Sequence, residues 1–180
     1  MSDNIICKIN VISSHTYEGK RFARIRFIKA IISRYILDIL LYLAPTNSFR
    51  VLCYKHMGVN IGKDVFIGNQ VLFDKIAPHK ITIGDHTSVG ERCIITAHAD
   101  IPSNSPLRLI YPTSIKETII GNGVWIMPSC IIAPGVKIDD YSVIATGSVV
   151  TKNVPSLCLV AGIPAKVVKK LELPNDYLNR

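Results

Sequence analysis

The chain is predicted to be mainly β, a solenoid of short flat strands wound into triangular coils, and three observations predict it. From Val59 almost to the C-terminus an Ile or Val returns on a six-residue beat: Ile61, Ile67, Ile83, Val89, Ile95, Ile126, Ile132, Ile138 and Ile144. Four residues after most of them stands a small or β-branched residue: Val65, Val71, Thr87, Cys93, Cys130, Val136, Ser142 and Ser148. The residue after the aliphatic is often Gly, as at Gly62, Gly68, Gly84 and Gly90. Such a period fits neither a helix nor an alternating strand. It fits a short strand plus a turn, three of which close a coil, with the aliphatic column stacking into a continuous core. Gly, Asn and Asp at fixed offsets suit corners that need tight turns and positive φ. A β-sandwich fits less well, because its strands alternate and its loops vary in length.

Three regions follow, residues 1–57, 58–170 and 171–180. The first reads as a helical segment, with a helix expected over residues 18–43, where Phe22, Ile25, Ile28, Ile32, Tyr35, Ile36, Ile39 and Leu43 form one stripe. Ala44-Pro45 ends it. Arg34 and Asp38 interrupt the apolar run, which is too short to span a bilayer, and no signal-peptide cleavage site follows it. The second region is the repeat, and a short C-terminal helix is expected beyond it.

Composition narrows the function. At 180 residues the chain can bury a full core, and it is 48% hydrophobic but only 7% aromatic, as Ile and Val filling a repetitive interior require. The net charge of +8 is concentrated at the start: residues 1–60 carry nine Lys/Arg against three Asp/Glu, the rest twelve against ten. One reading has the apolar stripe cap the open end of the solenoid. The other has the basic face, Lys20, Arg21, Arg24, Lys29 and Arg34, meet an anionic membrane. Nucleic acid is a poorer partner, since no recognition helix, stacking aromatic set or zinc module accompanies the charge. The five cysteines are odd in number and widely spaced, which argues against a disulfide framework or zinc cluster and for a reducing cytoplasm.

The beat breaks after Ile95-Thr96-Ala97-His98, and a polar excursion over about residues 99–118 precedes its return. A loop of that length ejected from a regular solenoid is usually functional. His98, at its root, is the histidine best placed for chemistry, since a neutral imidazole has a basicity suited to proton transfer near neutral pH. A structural histidine is the plainer alternative.

The run Ile119-Ile120-Gly121-Asn122-Gly123-Val124-Trp125-Ile126, then Ile132-Ala133-Pro134-Gly135-Val136, Gly147-Ser148-Val149-Val150-Thr151-Lys152-Asn153-Val154-Pro155 and Val160-Ala161-Gly162-Ile163-Pro164-Ala165-Lys166, resembles the hexapeptide-repeat acyltransferases. The nearest branch is that of the galactoside, maltose and polysaccharide O-acetyltransferases. The resemblance implies a left-handed parallel β-helix, a homotrimer, acetyl-CoA as co-substrate without a metal, and O-acetylation of a sugar or cell-surface polysaccharide. His98 matches the family's base. For the coenzyme the matching positions are Trp125, Ser129, Thr146 and Thr151, with Lys166 and Lys169 near the nucleotide phosphates. In relatives the site lies between neighbouring subunits. One departure concerns the oxyanion: the family commonly has Gly and a small residue after the Trp-Ile pair, whereas this chain has Met127-Pro128, and proline has no N–H to give. A donor from this turn would be the amide of Ser129 or Met127, or the acyl group would sit elsewhere. For the acceptor, Asp74, Asn104, Arg108 and Tyr111 are suitable polar residues near the catalytic coil.

Other functions have weaker support. An N-acetyltransferase of amino sugars or small amines would use the same base. A zinc hydratase on this fold needs three histidine ligands, two closely spaced, and His15, His56, His79 and His86 do not supply that spacing. A non-catalytic scaffold would have no use for His98 and Trp125. The expected location is the cytoplasm, with the inner face of the membrane as the alternative place for a basic N-terminal segment.

Overall fold

The computed structural model describes residues 32, 35–44, 46–102 and 104–173. The chain divides into two compact units, Met1–Pro45 and Thr46–Arg180. In the first unit residues 35–42 are helical; of the helix expected over 18–43, residues 18–31, 33 and 34 lie outside the described residues. The stripe members that are described, Ile32, Tyr35, Ile36, Ile39 and Leu43, are all exposed.

The second unit opens with a helix that the sequence reading did not separate from the first segment, α1 (Asn47–His56). Thr46 caps its start, its hydroxyl accepting from the Phe49 amide at 3.4 Å. At its end the Val59 amide reaches Tyr54 O and the Gly58 amide reaches Lys55 O, with Gly58 at φ +104. That is the left-handed glycine stop of a Schellman motif.

The coils follow. The first is β1 (Asn60–Ile61), β2 (Phe66–Ile67) and β3 (Leu72–Phe73); the second is β4 (Ile81–Ile83), β5 (Ser88–Val89) and β6 (Ile94–Ile95). An excursion hairpin, β7 (His98–Ala99) and β8 (Ser114–Ile115), precedes the third coil, β9 (Thr118–Ile120), β10 (Trp125–Ile126) and β11 (Ile131–Ile132). The fourth is β12 (Lys137–Ile138), β13 (Val143–Ile144) and β14 (Val149–Val150), and the chain ends in β15 (Cys158–Gly162) and β16 (Ala165–Lys170). Corresponding strands stack in parallel as three faces: β1-β4-β9-β12, then β2-β5-β10-β13-β15 with β16 antiparallel at its end, then β3-β6-β11-β14. Inside, the six-residue beat becomes three columns, one per face, with Ile67, Ile83, Val89, Ile95, Ile126, Ile132, Ile138 and Ile144 essentially inaccessible. The small positions between them are buried as well, Cys93 and Cys130 included.

One expectation changes. Positive φ recurs every six residues, at Asp64 and Gln70, at His86 and Arg92, and from Gly123 through Ser129, Gly135 and Tyr141 to Gly147, so most of these corners are not glycine. Where glycine follows the aliphatic it serves a different need, close approach of the next coil: a Cβ on Gly90 would stand 2.6 Å from the Pro128 nitrogen. At the C-terminus, residues 165–170 form a strand; of the region 171–180 where a short helix is expected, residues 174–180 lie outside the described residues.

The open N-terminal edge of the solenoid is closed by α1. Asn47 donates to Val65 O (2.9 Å) and accepts from the Ile67 amide (2.8 Å); Arg50 Nε donates to Ile67 O (2.8 Å); the Tyr54 hydroxyl donates to Val71 O (2.5 Å). Spaced about one helical turn apart, these side chains satisfy edge groups of β2 and its flanks that would otherwise be buried without partners. Tyr54 also packs edge-on against Phe73, ring centroids 4.7 Å apart.

Candidate active site

The beat breaks twice, at residues 74–80 and 96–117, and both breaks fall at the corner where the third face turns into the first. Register explains why they meet. Leu72 pairs with Ile94 and Phe73 with Ile95, so the next residue, Asp74, lies beneath Thr96 and two positions short of His98. The Asp74 carboxylate is fully buried and used on both oxygens: the Ile76 and Ala77 amides donate to Oδ1 at 2.8 and 2.9 Å, and the Ala97 and His98 amides donate to Oδ2 at 2.8 and 2.9 Å. His98 Nδ1 stands 2.5 Å from the same Oδ2, with the imidazole one quarter exposed. Burial pushes the Asp74 carboxyl up, but the Ala77 and Ala97 amides, then His98 and the Ile76 amide, outweigh it and hold it below the ordinary range. An ionised carboxylate can only accept, so the proton lies on Nδ1 and the Nε2 lone pair is left for chemistry. Asp74 was expected at the acceptor; with its oxygens committed to four amides and one imidazole, it positions the histidine instead.

The excursion is pinned at its root. His98 pairs with Ile115 and Ala99 with Ser114, and the Lys116 amide donates to Ala97 O at 2.8 Å. Asp100 accepts from the Thr113 hydroxyl at 2.5 Å and from the Ile101 amide at 2.8 Å. The Thr113 hydroxyl, then the Ile101 amide and the charge of Arg108, hold Asp100 below the ordinary carboxylate range. Lys80 bridges to Glu117 at 2.8 Å across the same corner. Asn104, Arg108 and Tyr111 are exposed on the excursion, on the same chain element as His98.

The positions expected to hold the coenzyme separate into two groups. Trp125 lies on the outer surface of the second face, half exposed, in the cross-strand row Phe66–Ser88–Trp125–Val143–Leu159–Lys169. At ordinary strand spacing Trp125 and Lys169 are about 14 Å apart along the solenoid axis. Strict alternation would put Lys166 and Lys169 on opposite sides. A bulge opposite Leu159/Val160 pairs Lys169 with Leu159 and Lys166 with Ala161, so both lysines share the outer surface. Ser129 and Thr146 are exposed at the corner between the second and third faces. Thr151 is exposed at the His98 corner, two coils on.

In a triangular section the His98 corner is opposite the second face. One chain therefore joins His98 to Asp74, Thr151 and the excursion, but not to Trp125. The turn after Trp125 also offers no free oxyanion donor: the Met127 amide donates to Ile144 O (2.9 Å), the Ser129 amide to Glu91 O (2.8 Å), and Pro128 has none. Of the alternatives raised from sequence, only a shifted acyl position is left. Among the described residues no three His, Cys, Asp or Glu side chains converge on a metal position.

Residues 117–152 match the family model for the bacterial transferase hexapeptide (six repeats). Over 92% of its length the chain is 28% identical to the acetyltransferase-like protein YvoF of Bacillus subtilis (strain 168), of which it covers 89%. It is 33% identical over 63% of its length to the galactoside O-acetyltransferase of Escherichia coli (strain K12), spanning 54% of that protein. Among solved structures, a hexapeptide-repeat acetyltransferase from Vibrio cholerae O1 biovar eltor, complexed with acetyl coenzyme A, superposes with a TM-score of 0.67. That match is 24% identical and covers 86% of this chain and 94% of the other. The likeness assigns the fold to the left-handed parallel β-helix class.

Proposed function

On the premise that this chain belongs to the hexapeptide-repeat transferases, we propose that it transfers the acetyl group of acetyl-CoA to a hydroxyl of a sugar or cell-surface polysaccharide, with His98 as general base. The observation that carries this reading is the His98–Asp74 pair at the root of the excursion. Asp74, held ionised by four amides, keeps the proton of His98 on Nδ1 and orients the ring. Nε2 then takes the acceptor's hydroxyl proton as that oxygen attacks the thioester carbonyl. When the carbon–sulfur bond breaks, Nε2 returns the proton to the departing thiolate.

The donor lies along the outer surface of the second face. Trp125 flanks the pantetheine arm, and Lys166 and Lys169, brought together by the bulge, meet the nucleotide phosphates. Ser129 and Thr146 contribute hydroxyls at the adjoining corner. Since that face and the His98 corner point apart in one chain, the working site needs two copies, the corner of one against the second face of the next. A closed ring of three gives each corner a partner face. The apolar outer rows agree with such packing: Leu72, Ile94, Ile131 and Val149 on the third face, Phe66 and Trp125 on the second. Sedimentation of a stable, fully active monomer would refute the trimer. Asn104, Arg108 and Tyr111 on the excursion bind the acceptor.

The test is incubation with acetyl-CoA and a panel of saccharides and amino sugars, with mass spectrometry before and after mild alkali. An alkali-labile acetyl adduct on a sugar is expected. An alkali-stable product would be an amide and would move the acceptor to an amine. Absence of transfer to every acceptor would contradict the reading.

A further inference from the structure

The helical stretch near the start of the chain is not needed to close the solenoid. Its expected role as an end cap is filled by Asn47, Arg50 and Tyr54 of α1, which bond the edge groups of Val65, Ile67 and Val71. The stretch is nonetheless strongly apolar: of residues 35–43 only Asp38 is polar. At about 100° per residue, Tyr35, Ile36, Ile39, Leu40, Tyr42 and Leu43 cover one arc of about 160° with no polar member. All six are exposed, and Tyr35, Tyr42 and Leu43 are each about two-thirds exposed or more. A stripe of that width left in water is costly and marks an interaction surface.

Charge identifies the occupant. The fifteen residues before this stretch, 20–34, hold Lys20, Arg21, Arg24, Arg26, Lys29 and Arg34 and no Asp or Glu. A second copy of the chain would bring a second cluster of the same sign. An anionic bilayer offers both an apolar layer for the stripe and negative headgroups for the cations. No described helix is long and apolar enough to cross a membrane. Tyr35 and Tyr42 suit the boundary depth, where an aromatic ring keeps its hydroxyl wet. We propose that residues 35–43 are an interfacial anchor that lies in the headgroup–acyl boundary of an anionic membrane, with the preceding basic run as its electrostatic partner. Neither signal holds a protein to a bilayer firmly alone; the two together do. The inference does not depend on the acetyl acceptor.

The test is co-sedimentation of the full chain with phosphatidylcholine vesicles, with and without phosphatidylglycerol, at low and high salt. We expect capture by the anionic vesicles at low salt and substantial release at high salt. Changing Arg21, Arg24 and Lys29 together to Gln should weaken capture about a hundredfold at low salt, from roughly fivefold per cation. The Ile36→Gln/Ile39→Gln variant should lose binding to the anionic vesicles while keeping the parent's sedimentation coefficient and circular dichroism. Recovery of the parent protein in the supernatant under every condition would overturn the proposal. So would dissociation of the Ile36→Gln/Ile39→Gln variant into smaller folded species, which would assign the stripe to contacts between copies.

Discussion

The corners between the second and third faces and the corners between the third and first are built from the same six-residue unit, yet they have different consequences. At the former, each turn repeats the one below: Arg92 and Ser129 both take positive φ, and the Ser129 amide bonds Glu91 O as the Arg92 amide bonds Asn69 O. At the latter, the first two coils depart from the rule in succession. Asp74 leaves the beat in one and His98 in the next, and the two departures bond each other. A regular corner spends its polar groups on the coil above and below. An irregular one has groups to spare, and here they become a carboxylate–imidazole pair.

Substitutions at the two kinds of position should fail in different ways. Ile126 stands in the regular column, fully buried between Val89 and Ile144. Ile126→Ala should cost about 2–5 kcal/mol of stability, read from denaturant melts, through lost transfer energy and a cavity in a stack that cannot collapse. Asp74→Asn should cost less, about 1–3 kcal/mol, because donors face both carboxylate oxygens and an amide sets its NH2 against one group of them. It also carries a pH signature. The Asp74 carboxyl is depressed in the folded chain, so its stabilisation is present above the unfolded value of about 4 and disappears as pH falls through the lower folded one. The difference in melting temperature between parent and variant should therefore shrink on acidification below about pH 4; a constant difference would mean that the ionised carboxylate contributes nothing. Tyr54→Phe removes one buried hydroxyl from the cap and keeps the ring on Phe73, for an expected loss of about 1 kcal/mol and no change in turnover.

The same contrast governs what was legible in the sequence. The column from Ile67 to Ile144 was readable because each residue's environment is repeated a coil away, so the period reports burial directly. The cap was missed because α1 docks through Asn47, Arg50 and Tyr54, and a search for apolar periodicity passes over polar residues that bond an edge. The family resemblance and the loop pointed to His98, but its partner stands 24 residues earlier. The signal for Asp74 was the offset of Leu72 to Ile94, which carried two residues further places it under Thr96. Lys166 and Lys169 share a surface only because of a bulge, and a strict alternation rule places them apart.

The central claim is that the broken corner is where the chemistry happens, and its direct test is steady-state acetyl transfer by His98→Ala with acetyl-CoA affinity measured in parallel. The account predicts turnover reduced about a hundredfold or more, with affinity and melting temperature close to those of the parent protein. Near-normal turnover in that variant would contradict it.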